Sequence, residues 1–153
     1  GWLDKAPTDF RKPKLNQNKA PQIGFDLEWV HGYRSHDSRN NIGILADNSI
    51  CYPAAGLGIA YDPSTGLQRF FNNHIDDVTA ISFSPDKRFV ATGEIGPKPL
   101  YVFGMQYNEP KHIIKGKLTK GIQSLSFSPS GKTLAAVAID PDHSVAVYNV
   151  DTG

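Results

Sequence analysis

The sequence predicts an all-β chain in which one small antiparallel sheet is built more than once. Three observations carry that prediction. From Phe25 onward, short runs of alternating apolar and polar residues are each stopped by a turn signal. No segment carries a helical stripe of useful length. One unit of pattern recurs, with 44 residues between Ile81 and its counterpart Leu125.

Residues 1–24 come first and predict a linker or extended arm. Pro7, Pro13 and Pro21 interrupt any helix, and Asn16-Gln-Asn-Lys19 has no apolar period. The arm is mildly basic, and Trp2 and Phe10 are its candidate anchors. Residues 25–72 hold the first strands. Ile42–Leu45 and Ser49–Tyr52 flank the turn residues Asp47-Asn48, and Gly58–Tyr61 ends at Asp62-Pro-Ser-Thr-Gly66. A first full unit spans about 73–116. Val78–Phe83 alternates with period 2, stops at Ser84-Pro-Asp-Lys87, resumes at Arg88–Thr92, and is followed by Leu100–Phe103. A second unit spans about 117–153 and repeats each part: Ile122–Phe127, Ser128-Pro-Ser-Gly-Lys132, Thr133–Val137, Val145–Tyr148. Pro85 and Pro129 sit where a turn already wants φ near −65°. Gly131 matters there through backbone freedom.

Bulk composition narrows the function classes. At 153 residues, 39% hydrophobic and 20% charged, the chain has material for one ordinary domain with a core. A net charge of +1 supplies no general field for nucleic acid or an acidic membrane. A single cysteine, Cys51, excludes an internal disulfide and fits a reducing compartment. No apolar run reaches the roughly 20 residues a bilayer span needs, and no signal peptide is visible. The first residue is Gly1 rather than Met, which suggests an excised segment.

Repeats of this length with four short strands are the mark of β-propeller blades. A four-stranded sheet of this size cannot cover both faces alone and must stack on its neighbours. The units resemble WD repeats, with Tyr61-Asp62, Phe103-Gly104 and Tyr148-Asn149 in the Trp-Asp place. The resemblance implies a buried hydrogen-bond network in the first unit, formed by His74, Ser82 and Asp86 or Asp77. The second unit has Leu118 in the His74 place and Gly121 in the Asp77 place, so its network is expected to be lost.

A more specific resemblance begins at Leu27. Leu27-Glu-Trp-Val30, Gly32-Tyr-Arg34, Asp37, Arg39 and Asn41 are similar to the HELP motif of the echinoderm microtubule-associated protein-like family. The likeness continues through Gln68-Arg69, Asn73–Val78, Pro85-Asp86 and Ala91-Thr-Gly93, with departures at His31, Ser35, His36, Ser38 and Asn73. It implies a fragment of a larger propeller array: a HELP segment plus about two four-stranded blades. Further implications are a non-enzymatic scaffold, tubulin, microtubule or axonemal partners, and a home in the cytoplasmic cytoskeleton or the cilium. The other reading is a generic WD-repeat scaffold for a signalling or assembly complex without tubulin contact. In either, the remainder of the propeller is a partner, because an incomplete ring leaves strand edges open. The HELP core of Trp29, Gly32, Tyr33, Arg34, Asp37, Arg39 and Asn41 is expected to be structural. Trp29 and Tyr33 are large anchors whose polar atoms need partners when buried. Arg34 and Arg39 flank Asp37 and predict a charge-assisted clasp or an Asx-type loop bond.

The remaining chemistry-bearing residues predict no cofactor, metal or catalytic site. His31, His36, His74, His112 and His143 with Cys51 match no zinc spacing. Cys51 lies between Ile50 and Tyr52 in a strand, which predicts an inert thiol. Asp76-Asp77 and Asp140 with Asp142 lie in turns, where aspartate bonds its own backbone. Gly56-Leu-Gly58 lacks the rest of a phosphate loop. Phe70, Phe71 and Tyr101 have no basic stripe beside them and predict core rather than nucleic-acid platforms.

Overall fold

The structure is a computed structural model of the 153-residue chain, and it describes residues 24, 26–96, 100–104, 110–114, 118 and 120–153. The predicted arm at 1–24 lies, apart from Gly24, outside the described residues. Every regular element among the described residues is a strand.

Among the described residues, eleven strands form three antiparallel sheets. The first contains β1 (Gly43–Ile44), β2 (Ile50–Ala54), β3 (Leu57–Asp62) and β4 (Leu67–Phe71) in chain order. The second contains β5 (Val78–Phe83), β6 (Val90–Glu94), β7 (Leu100–Phe103) and β8 (Pro110–Ile114), also in chain order. The third contains β9 (Ile122–Phe127), β10 (Thr133–Ala138) and β11 (Val145–Asn149). The stretch assigned from sequence to the HELP segment and first strands therefore holds a complete four-stranded sheet of its own. Sequence reading singled out neither β4 nor β8. Both are edge strands: β4 mixes exposed and half-buried residues before the buried Phe71, and β8 opens on a proline, so the apolar alternation is weak in each.

Strand parity decides what each sheet face meets. Ile81 pairs with Thr92, and Ser82 with Ala91. Opposed residues of an antiparallel pair share a face, and successive residues alternate. Ile81 and Val90 thus turn toward the first sheet, in a core with Leu45, Cys51, Ala60 and Phe71. Ala80, Ala91, Leu100 and Val102 turn toward the third sheet, in a core with Ile122, Leu125, Leu134 and Ala136. Each fully buried Val or Leu side chain contributes about 1.5–3 kcal/mol relative to exposure. The middle sheet serves both cores and so ties the three sheets into one stack.

Polar bonds cross the same junctions. Between the first two sheets, Ala46 N–H donates to the Lys87 carbonyl at 3.0 Å and Val78 N–H to that of Ala55 at 2.8 Å. Between the second and third, Thr79 Oγ1 donates to the Ile122 carbonyl at 2.6 Å, and Ser82 Oγ accepts from Phe127 N–H at 3.3 Å. The two Ser-Pro turns are built alike. Lys87 and Gly131 occupy the same left-handed position, at φ 58° and 72°, where glycine is free of the Cβ penalty that lysine carries.

Candidate functional site

Residues 26–41 form an irregular strap that carries the HELP core. The strap lies on the flank of the first sheet that faces away from the second. Gln68 on β4 fixes it: its side chain accepts from Val30 N–H at 2.8 Å and donates to the Val30 carbonyl at 3.0 Å. The Trp29 ring meets Tyr61 edge-on at 5.9 Å, and Tyr33 meets Tyr52 likewise at 5.9 Å. Both strap aromatics stay half-exposed, Trp29 at 39% and Tyr33 at 47%. They act as lids on the sheet, each meeting one tyrosine of the flank edge-on. The Tyr33 hydroxyl does find its partner, donating to Asn41 Oδ1 at 2.6 Å. Gly32 is exposed, and a Cβ there would make only an ordinary 3.7 Å contact with Ala54.

Arg34 is the pivot of the strap. Its guanidinium, 6% exposed, donates to both Asp37 oxygens at 2.7 and 2.6 Å and to Asp77 Oδ2 at 2.6 Å. Asp77 stands one residue before β5, so this one side chain ties the strap to the second sheet. The planar fork suits that task, since one edge grips a carboxylate while the far nitrogen reaches another. The Arg34 bonds hold the Asp37 carboxyl below its ordinary range. Ser38 adds a second tie, donating to the Thr79 carbonyl at 2.8 Å, and Asn41 closes the loop on the Arg34 carbonyl. Arg39 departs from expectation. It bonds the Ser35 and Ser38 carbonyls and leaves Asp37 to Arg34, whose fork already occupies both carboxylate oxygens.

The blade network takes different members from those expected. His74 is buried, and its ring nitrogens meet Glu94 Oε2 at 2.8 Å and Thr92 Oγ1 at 2.7 Å. Glu94 also accepts from Ile75 N–H at 3.1 Å. Ser82 is not a member, because strand alternation turns it to the other face of the sheet, toward Phe127. Asp86 stays in its turn, accepting from Ser84 Oγ at 2.5 Å and from Arg88, which hold its carboxyl at about 2. Asp77 belongs to Arg34 instead. Thr92 lay within the sequence likeness; Glu94 was missed, although an acidic residue closing an apolar strand was its available signal. Burial pushes the His74 pKa down, against the opposing pull of Glu94. A neutral ring then donates from Nδ1 to Glu94 and accepts at Nε2 from Thr92.

The third sheet replaces this network as a unit. Leu118, Ala136 and Ala138 stand where His74, Thr92 and Glu94 do, 44 residues on. Ala136 and Ala138 are fully buried and Leu118 packs on the same core. Exchanging every partner for apolar groups leaves no orphaned donor, which is why such a swap is tolerated.

Two grooves remain. One, of about 720 Å³, is apolar and runs past Ile42, Ile44, Ile50, Phe83 and Pro85. Another, of about 510 Å³, runs from the strap across the second sheet to the third, past Asp37, Arg39, Thr79, Gln123 and Ile139. Both offer contact area of the kind a protein partner uses. Cys51 is buried and its thiol is pushed up to about 12 by desolvation, which makes it a poor nucleophile. Among the described residues, no cluster of three or more His, Cys, Asp or Glu could hold a metal ion, and no helix is long and apolar enough to cross a membrane.

Two families match the chain. The HELP motif covers residues 20–59, and the WD domain, G-beta repeat, covers residues 65–96 and 108–149. Each WD match opens on the outer strand of one sheet (β4 or β8) and continues into the inner strands of the next. Among curated proteins, the ciliary WD repeat-containing protein ctxp80 of Euplotoides octocarinatus is 30% identical over 96% of this chain and 23% of its own length. The 77 kDa echinoderm microtubule-associated protein of Lytechinus variegatus is 31% identical over 94% of this chain and 23% of its own length. Echinoderm microtubule-associated protein-like 1 of Homo sapiens is 30% identical over 86% and 18% respectively. The chain thus spans about a quarter or less of the curated relatives it matches.

Proposed function

The chain belongs to the echinoderm microtubule-associated protein-like family, with a HELP motif and WD repeats arranged as a partial propeller, and from that premise we propose that it is a non-enzymatic scaffold that binds tubulin, microtubules or axonemal partners. The observation that carries the reading is the run of relatives named for microtubule association, each about 30% identical over most of this chain. The ciliary name of another relative supports a place in the cytoskeleton or the cilium. The site chemistry agrees. Its charged groups are spent on holding strap and sheets together, and its grooves present contact surface.

Co-sedimentation with polymerised microtubules tests the proposal. The chain is expected to pellet with the polymer in a saturable, salt-sensitive way. A chain that stays in the supernatant at every concentration, and that recovers no axonemal protein from a ciliary extract, would replace this reading with that of a general WD-repeat scaffold.

A further inference from the structure

The two Ser-Pro turns share a backbone frame but differ in what fills one place in it. The frames match bond for bond. Ser84 N–H donates to the Phe89 carbonyl at 2.9 Å and Lys87 N–H to that of Ser84 at 2.8 Å. In the second turn Ser128 N–H donates to the Thr133 carbonyl at 2.9 Å and Gly131 N–H to that of Ser128 at 2.9 Å. The first frame holds an anion. Asp86 Oδ1 accepts from Ser84 Oγ at 2.5 Å and from Arg88 N–H at 3.1 Å, and its Oδ2 accepts from Arg88 Nε at 2.9 Å. The Ser84 hydroxyl, and then Arg88, keep that carboxyl at about 2. In the second frame Ser130 stands in the Asp86 place and Lys132 in the Arg88 place, both exposed. The occupant there is neutral and its bonds are longer: Ser130 Oγ meets Ser128 Oγ at 3.1 Å and accepts from Lys132 N–H at 3.4 Å.

We propose that Ser130 is a phosphorylation site for an ATP-dependent serine kinase, and that its phosphate fills the anion place that Asp86 fills in the first turn. The proposal is independent of what the scaffold carries. The kinase step moves the terminal phosphoryl group of ATP. The bond from Ser130 Oγ to phosphorus forms, the bridging bond to the β-phosphate breaks, ADP leaves, and the hydroxyl proton goes to the kinase's general base. The product carries a charge of about −1.5 to −2 at pH 7 and strong acceptor oxygens. Lengths also match. Phosphoserine carries its terminal oxygens one bond further out than aspartate does. Lysine carries its nitrogen one bond beyond the Nε with which Arg88 grips Asp86. Lys132 therefore meets the phosphate as Arg88 meets the carboxylate. Ser128 is the wrong acceptor, although Pro129 follows it. It is half-buried, and its Oγ closes the hairpin by accepting from Thr133 N–H at 3.2 Å. Its counterpart Ser84 does the same for Phe89 N–H at 2.9 Å and is buried.

Three measurements test the site. Fragment mass spectra of the protein isolated from its own cells, with phosphatases blocked, are expected to place phosphate on Ser130 and none on Ser128. Phosphate on Ser128, or on neither, overturns the assignment. In the 153-residue chain carrying phosphoserine at position 130, the phosphorus NMR signal is expected to titrate below the ordinary value of about 6, and to return toward it on Lys132→Gln. A titration that Lys132→Gln leaves unmoved removes the pairing on which the site rests. Ser130→Asp is expected to raise the melting temperature by about 2–4 °C, since it rebuilds the Asp86 arrangement. A lower melting temperature would show that this frame rejects an anion, and would sink the proposal.

Discussion

Arg34 shares one guanidinium between two carboxylates, and that sharing decides what its substitutions do. Arg34→Ala leaves Asp37 and Asp77 facing each other without their cation. The expected loss is about 2 kcal/mol, in the range of hydrogen bonds to charged groups, read as a lower melting temperature. Arg34→Lys keeps the charge but not the fork, and is expected to recover less than half of that loss. Asp37→Ala is expected to lower the melting temperature by less than Arg34→Ala does, since Asp77 remains bonded. An Asp37→Ala protein of unchanged melting temperature but lost microtubule binding would turn the clasp into a contact surface.

His74 carries the pH dependence at the same scale. Its folded pKa lies below the ordinary value of 6.5 because burial penalises the imidazolium. The unfolded chain then binds the proton more readily, so stability is complete above about 6.5 and is lost as pH falls below it. Melting temperature is expected to drop between pH 7 and pH 5, and His74→Gln should flatten that slope. A slope unchanged by the substitution would assign the dependence to another group. A second acid loss is expected from about 3.8 down to about 2, where the Asp62 and Asp86 carboxylates take up protons in their turns.

At the scale of the element, the junction between β6 and β9 is one of the two tightest that the described glycines report, level with Gly43 of β1 on Phe83 of β5. A Cβ on Gly93 would fall within 2.5–2.8 Å of three Ile122 side-chain atoms, which are branched and cannot swing aside. Gly93→Val is expected to cost about 1–3 kcal/mol by overpacking and to be partly rescued by Ile122→Ala. Melting curves of the two single variants and the double variant check this. A double variant no better than Gly93→Val would mean that the strands part by backbone movement instead. The element scale also shows how legible the fold was. β5, β9, β10 and β11 stood out because half of each strand faces a core. β4 and β8 did not, although each ends on a buried residue, Phe71 and Ile114, because Gln68-Arg69 and Pro110-Lys111 interrupt the alternation.

The whole molecule is a stack whose middle sheet serves two cores. Damage to one end should therefore reach the other. Leu134, fully buried in the third sheet, and Cys51, fully buried in the first, test the coupling. Leu134→Ala is expected to cost about 2–5 kcal/mol and to speed thiol labelling of Cys51 under native conditions. Labelling at an unchanged rate would mean that the sheets open one by one, as repeat arrays with weak junctions do.

The amino-acid sequence by itself determined the strand-and-turn pattern, the 44-residue period and the family. Each of these is written in local order: alternation, turn chemistry and motif spacing need no knowledge of what lies across the fold. Only the tertiary structure decided the partners. That Arg34 reaches Asp77, that His74 chooses Thr92 and Glu94 over Ser82, and that Arg39 leaves Asp37 alone all follow from which face a residue turns to and what stands opposite. Face and neighbour are set by register and stacking, through contacts between residues as many as 45 positions apart.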